Sequence, residues 1–293
     1  MSKIIVIAGP TATGKTKLSI SLAKKYNARI INADSTAIYK EPLIATAKVT
    51  EEEKEGIIHY LIDTVSLNDD YTLYDYQRDG RKILDKLISE NINVIIVGGS
   101  GLYLKALLYD YKLEQTEIKR IDYSNYSNEE LKKIADSIDI NNNIHVNNRQ
   151  RLERYITFYK STGSIIKKTD NINKRMYDFI LIGLKADRQM LYKMTDKRVD
   201  DMFNNGLLNE AKELSNLKNF TNIIGYRELY KYFKNEISLE EAKDLMKRNT
   251  RRYAKRQYTW FNNQMKDINW IEVDYNNFNN TINKAIKIIV SNN

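Results

Sequence analysis

The sequence predicts an α/β fold, a parallel sheet flanked on both faces by helices, with a mostly helical insertion. Three observations carry this reading. Short β-branched runs alternate with amphipathic stretches through the first third of the chain. Those runs are apolar throughout, as strands buried on both faces are. The first of them leads through a glycine-rich turn into a helix-forming stretch, the start of a strand–helix–strand unit.

Lys3–Ala8 reads as a buried strand, and Thr16–Tyr26, with Leu18, Leu22 and Ala23 at helical spacing, as the helix after it. Ala28–Ala33 is the second strand. Tyr74–Asn91 places Tyr76, Ile83, Leu84, Leu87 and Ile88 on one helical face. Asn93–Val97 is the third strand, ending in Gly98-Gly99, and Gly101–Tyr109 is a helix. The polar, Asn-rich stretch 111–175 interrupts the pattern and reads as a helical insertion, with helices at Asn128–Ser137 and Val146–Thr162. Tyr177–Leu184 returns to the sheet. The remainder is expected to be helical at Arg188–Asn204, Leu208–Leu217, briefly after Ile224, and from Leu239 to about Met265. A short strand at Asn269–Val273 and a helix at Asn279–Val290 close the chain. This gives a core at 1–110, an insertion at 111–175 and a core-completing, basic helical region at 176–293.

Composition narrows the chemistry. With no Cys and two His, disulfides, thiolate zinc sites, Cys nucleophiles and His-rich metal sites are excluded. The apolar start is too short for a signal peptide, and no stretch approaches the ~20 apolar residues of a membrane helix, so a cytoplasmic location without membrane contact is expected. The net charge of +9 is unevenly spread. Residues 1–140 hold 19 basic and 21 acidic side chains, and residues 141–293 hold 28 and 17. A basic half beside a neutral one suggests a polyanion on one side and small-molecule chemistry on the other.

The sharpest motif is Gly9-Pro10-Thr11-Ala12-Thr13-Gly14-Lys15-Thr16, a match to G-x-x-x-x-G-K-[ST] between a strand and a helix. The glycines let successive N–H groups point inward, the helix N-terminus adds partial positive charge, Lys15 adds a full one, and Thr16 can offer a hydroxyl to Mg²⁺. The loop signals a diphosphate or triphosphate, and with it the parallel sheet becomes P-loop NTPase-like. The carboxylate that such NTPases often place at the end of a neighbouring strand is missing after Asn93–Val97. An acid, Asp34, instead comes after Ala28–Ala33, at the strand end where open α/β sheets place their ligand crevice.

Together with Asn32–Lys40, Thr46-Ala47-Lys48, Gly56–Asp63, Val97–Tyr103, Asn148–Arg154, Thr162-Gly163, Arg198–Met202, Ile224–Glu228 and Thr250–Phe261, this loop resembles the tRNA dimethylallyltransferase (tRNA isopentenyltransferase) family over nearly the whole chain. The resemblance implies transfer of a dimethylallyl group from dimethylallyl diphosphate to N6 of adenine 37, beside the anticodon, in tRNAs reading codons that start with U, with Mg²⁺. It implies Asp34 as general base and Ser100, where the family usually has Thr, as a hydroxyl near the donor. The 9–16 loop and Arg198 would hold the diphosphate, with Mg²⁺ on Thr16. It places the tRNA anticodon stem-loop on Asp34, Ser35, Thr36 and Ala37, on Gln150, Arg151, Leu152, Glu153 and Arg154, on Gly225, Tyr226 and Arg227, and on Lys255, Arg256, Gln257 and Trp260. Helical phase places Trp260 with Tyr253 and Phe261, which favours packing in the core. Arg248, Arg251, Arg252 and Lys255 are expected to share one basic face, His59 to be a hydrogen-bonded scaffold residue, and His145 to help start the next helix.

Departures from the family pattern are Glu41–Ala45, Val49 after Lys48, and a short insertion. The absence of the Cys/His finger of eukaryotic relatives suggests a bacterial-type enzyme, expected to be monomeric. Rival readings are a P-loop small-molecule kinase, an isopentenyltransferase acting on free adenine nucleotides, and a non-catalytic RNA-binding protein with a dead P-loop. The basic second half speaks against the second, and intact Lys15, Thr16 and Asp34 against the third.

Overall fold

The computed structural model describes residues 2–113, 121–165 and 174–292. Met1–Tyr109 with Arg175–Asn293 forms one compact unit, and Asp110–Lys174 forms another.

The larger unit is built on a parallel sheet of six strands: β1 (Ile4–Ala8), β2 (Ala28–Asn32), β3 (His59–Tyr60), β4 (Asn93–Gly98), β5 (Ile180–Lys185) and β6 (Asn269–Glu272), in spatial order β3-β2-β4-β1-β5-β6. Successive side chains on a strand point to opposite faces, so each run of Ile and Val feeds two cores. On one face Val6, Ile31, Val94, Ile96 and Leu181 meet helices α3 (Leu73–Ser89) and α4 (Gly101–Leu108) and the end of α10 (Leu239–Gln264). On the other, Ile5, Ile7, Ile30, Ile95 and Ile182 meet α1 (Lys15–Tyr26) and α11 (Phe278–Ser291). Each fully buried Ile or Leu contributes about 1.5–3 kcal/mol by leaving water.

Three small elements escape sequence patterning, one of them a single 3-10 turn at Phe220–Asn222. The helix α2 (Glu51–Lys54) rests on a capping box between Thr50 and Glu53. The two-residue edge strand β3 is defined by its register with β2, Ile30 opposite His59 and Ile31 opposite Tyr60, and not by any pattern of its own. Other boundaries shift slightly. The strand expected from Tyr177 begins at Ile180. The brief helix after Ile224 is a two-turn element, α9 (Tyr226–Phe233).

A third core lies among α7 (Arg188–Asn204), α8 (Leu207–Leu214), α9 and α10, where Val199, Met202, Leu207, Phe220, Tyr226, Leu229 and Met246 pack with Ala45 and Leu67. In the smaller unit, α5 (Asn128–Ile138) packs on α6 (Arg149–Thr162) around Leu131, Ala135, Leu152, Tyr155 and Ile156. Helix α6 begins three residues later than its apolar period suggests. Asn148 caps it, its side chain accepting from the Arg151 N–H, and the Asn148 N–H is held by the His145 carbonyl at 2.8 Å.

The register brings three loops level. Ala8 is opposite Gly98, and Asn32 opposite Val97, so the turns after β1, β2 and β4 emerge side by side. Helix α10, which leans on these turns, starts from a capping box: the Ser238 hydroxyl accepts from the Glu241 N–H at 3.2 Å, and the Glu241 carboxylate accepts from the Ser238 N–H at 2.8 Å. Ser238→Ala should lower stability by about 1 kcal/mol. In urea the midpoint should fall with an unchanged slope.

Candidate active site

The turn after β1 is shaped by backbone that ordinary residues avoid. Gly9 has φ +140°, and a Cβ there would sit 2.5 Å from the Leu184 carbonyl of β5. Ala12 (φ 63°) and Gly14 (φ 81°) are also left-handed. Such alternation turns successive N–H groups toward one concavity. Side chains fix the loop: the Thr13 hydroxyl and the Lys15 ammonium both donate to the Pro10 carbonyl, at 2.8 and 2.6 Å, and the Tyr275 hydroxyl donates to the Ala12 carbonyl at 3.0 Å. Thr16 is exposed on the first turn of α1.

The turn after β2 is organised by Asn32, 5% exposed. Its amide donates to the Leu61 and Asp34 carbonyls at 2.8 and 3.0 Å and accepts from the Asp34 N–H at 3.0 Å. Asp34 is thereby held at the strand end. Its Oδ1 accepts from the Thr36 N–H (3.0 Å) and hydroxyl (2.8 Å), while Oδ2 has no hydrogen-bond partner among the described residues. The turn after β4 carries Ser100, whose Oγ accepts from the Ser35 N–H at 3.0 Å and lies 3.2 Å from the Ser35 hydroxyl. Stacked Tyr76 and Tyr103, ring centroids 3.9 Å apart, lie beneath these turns, with the Tyr76 hydroxyl donating to the Asn32 carbonyl at 2.9 Å.

Charge converges on the cleft. Lys15, Asp34 and Arg198 line one hollow of about 620 Å³ with Thr16, Thr46 and Lys48. Burial holds the Lys15 ammonium down to about 8, with Arg198 pushing the same way and Asp34 opposing. Burial likewise lowers Arg198, again opposed by Asp34. The Arg198 guanidinium donates to the Thr46 carbonyl at 3.2 Å. Two cations are thus crowded around one carboxylate, which suits a multiply charged anion.

Helix α10 locks the arrangement from the second half of the chain. Gln257, 6% exposed, accepts from the Thr11 N–H and donates to the Gly99 carbonyl, both at 2.9 Å. Tyr253, one turn earlier, lies beside Ser100 and Gln257, and burial together with Asp34 raises its hydroxyl above the usual range. The sequence assigns Tyr253 a core role only. Its one signal is its phase, four residues before Gln257.

A family model described as IPP transferase matches residues 37–264. The chain belongs to the IPP transferase family. It is 43% identical over 279 residues to the tRNA dimethylallyltransferase of Enterococcus faecalis, covering 90% of each chain. Among solved structures, this family member matches the tRNA Δ(2)-isopentenylpyrophosphate transferase of Staphylococcus epidermidis with a TM-score of 0.75 at 35% identity, covering all of both chains. It also matches a eukaryotic dimethylallyltransferase acting on tRNA, with a TM-score of 0.74 at 27% identity, over 93% of this chain and 74% of that one.

The 9–16 loop, Asp34, Ser100 and Arg198 stand together as the sequence suggests. Several residues expected on an RNA face do not lie open. Gln257 is buried, its amide engaged by the two turns. Tyr226 is fully buried, stacked on Phe220 with ring centroids 4.6 Å apart. Leu152 is in the core of the smaller unit, Ala37 and Gly225 are buried, and Glu153 pairs with Arg149 at 2.7 Å. Trp260 is half-buried against Gly101 and meets Phe261 edge-on at 5.3 Å. The expected basic face of α10 is divided. Arg251 pairs with Asp196 at 2.6 Å, whereas Arg248, Arg252, Lys255 and Arg256 are exposed. Gln150, Arg151, Arg154 and Arg227 are exposed, and Ser35 and Thr36 half-buried. His59 is a scaffold residue, its Nδ1 2.8 Å from the Ile57 carbonyl.

A lowered lysine pKa means that the unfolded chain holds the proton more tightly. The folded state is penalised below pH 8 and relieved as pH rises from about 8 toward 10.5. Lys15→Met should therefore melt above the parent at pH 7, while losing affinity for diphosphate. Calorimetry of both proteins checks this, and a lower melting temperature in the variant would contradict it.

Proposed function

We propose that this protein transfers a dimethylallyl group from dimethylallyl diphosphate to N6 of adenine 37 in tRNAs reading codons that start with U, giving N6-dimethylallyladenosine. The observation that carries this reading is the meeting of a diphosphate-sized N–H cradle, two desolvated cations and the Oδ2 of Asp34 in one cleft. The relatives' names, tRNA dimethylallyltransferase, support the donor and the acceptor class.

The chemistry is governed by charge. The allylic C–O bond breaks with its electron pair leaving on diphosphate, and the N6 lone pair forms the new C–N bond. The loop N–H groups, Lys15 and Arg198 stabilise the charge that develops on the leaving group. The adenine amino group is a weak nucleophile, because its lone pair is delocalised into the ring. Asp34 Oδ2 takes the N6 proton as attack proceeds, while Oδ1 is steadied by Thr36. Ser100 keeps a hydroxyl beside that turn. Thr16 offers a hard oxygen donor of the kind Mg²⁺ accepts alongside substrate phosphates. When bound there, Mg²⁺ would neutralise part of the diphosphate charge.

The base must leave the anticodon stack to be reached. Arg227, Arg248, Arg252, Lys255 and Arg256 offer exposed cations for phosphates, and the smaller unit offers Gln150, Arg151 and Arg154 as a tRNA-facing lid. The enzyme is read as a cytoplasmic monomer. A small-molecule kinase would prefer ATP, and an enzyme for free nucleotides would have no use for these cations.

Asp34→Ala should cut transfer at least about 100-fold and leave tRNA affinity intact, by single-turnover assay and filter binding. Normal turnover in that variant would remove Asp34 as the base. Arg256→Ala should weaken tRNA binding and reduce the slope of log affinity against log salt by about 1, with donor affinity unchanged. Thermal shift by dimethylallyl diphosphate with Mg²⁺ but not by ATP separates this reading from the kinase.

A further inference from the structure

Glu210 on α8 carries an unusual load for one carboxylate. Its Oε2 accepts from the Leu43 and Ile44 N–H groups, both at 2.8 Å, and its Oε1 from the Ala45 N–H at 3.0 Å and the Tyr226 hydroxyl at 2.6 Å. Three successive N–H groups of one turn thus converge on an acid supplied by a helix more than 160 residues away. The turn is otherwise held by its own bonds: the Thr46 hydroxyl donates to the Pro42 carbonyl at 2.8 Å, and the Ala47 N–H to the Ile44 carbonyl at 3.0 Å. The turn runs directly into the wall of the cleft. Thr46, Ala47, Lys48 and Val49 line that wall, and the Thr46 carbonyl receives Arg198. Ala47, with φ 43°, sits in left-handed backbone that a non-glycine residue keeps only under constraint.

We propose that Glu210, braced by the Tyr226 hydroxyl, is a positioning residue for the donor: it fixes the 43–47 wall and through Thr46 sets where the Arg198 guanidinium meets the diphosphate. This rests on the proposed function for the identity of the donor. It gives the buried Tyr226 a task on the donor side. It also explains how a departure from the family pattern at 41–45 is accommodated, since Glu210 grips main-chain N–H groups, which are indifferent to side-chain identity. Glu210 touches no reacting atom, so its loss should alter donor binding and spare the chemical step.

The test is Glu210→Gln beside Tyr226→Phe, which keeps the stack on Phe220 and removes one donor. Replacing the carboxylate leaves a single acceptor for four donors. Glu210→Gln should raise the KM for dimethylallyl diphosphate about tenfold and Tyr226→Phe about threefold, with kcat and the KM for tRNA within twofold of the parent. Amide exchange at Leu43–Ala45 should accelerate in the same order. A donor KM within twofold in Glu210→Gln, or a tRNA KM that rises in parallel, overturns the inference. Should Glu210→Gln not fold, the Tyr226→Phe values decide alone. A parent enzyme that prenylates no tRNA refutes the proposed function. Titration with inorganic diphosphate then still decides the inference, because equal affinity in parent and variants would end it.

Discussion

One buried side-chain amide holds the two halves of the chain in register at the site. Gln257 reaches from α10 to the Thr11 N–H of the loop after β1 and to the Gly99 carbonyl after β4. The Gly99 bond is buried and the Thr11 bond partly so, and out of water an unpaired amide group costs about 1–3 kcal/mol. A shift of α10 along its axis would break both at once. Tyr253 lies beside Ser100, and the Ser100 hydroxyl accepts from the Ser35 N–H of the Asp34–Thr36 turn. The concavity after β1 is thus set by a helix that begins more than 220 residues later.

The cleft itself runs against stability. Lys15 and Arg198 are close enough to repel, and both are lowered by their burial. A multiply charged anion reverses the penalty, because it supplies the countercharges that Asp34 alone cannot. The rest of the structure offsets that cost through uncharged devices: Asn32 under the Asp34 turn, the stacked Tyr76 and Tyr103, and two apolar cores on the faces of the sheet.

Much of the fold is legible in sequence because its signals are local. Runs such as Ile4–Ala8 and Asn93–Gly98 are apolar on both faces, and α3 shows its buried stripe directly. The site is legible where a motif is itself geometry, as in the left-handed Gly14 that opens α1. It is misleading where motif membership stands in for orientation. Gln257 and Tyr226 sit in stretches that the family resemblance assigns to RNA, yet both face inward. For Gln257 the phase is informative: Met246, Thr250, Ala254, Gln257 and Phe261 form one buried stripe. For Glu210 no local signal exists, since its partners lie in another part of the chain. The division of charge is also hidden. A net +11 in the second half suggests an open basic surface, but Lys243 and Lys247 are paired with Asp200 and Arg251 with Asp196.

In the proposed reaction the cradle after β1 holds an allylic diphosphate while Asp34 serves an adenine amino group beside it. The most direct measurement incubates the protein with labelled dimethylallyl diphosphate, Mg²⁺ and bulk tRNA, then digests the RNA and identifies the labelled nucleoside. Label in N6-dimethylallyladenosine from the position beside the anticodon, with stoichiometric release of diphosphate, is the expected result. Label on free adenine nucleotides alone, or none in RNA, would contradict it.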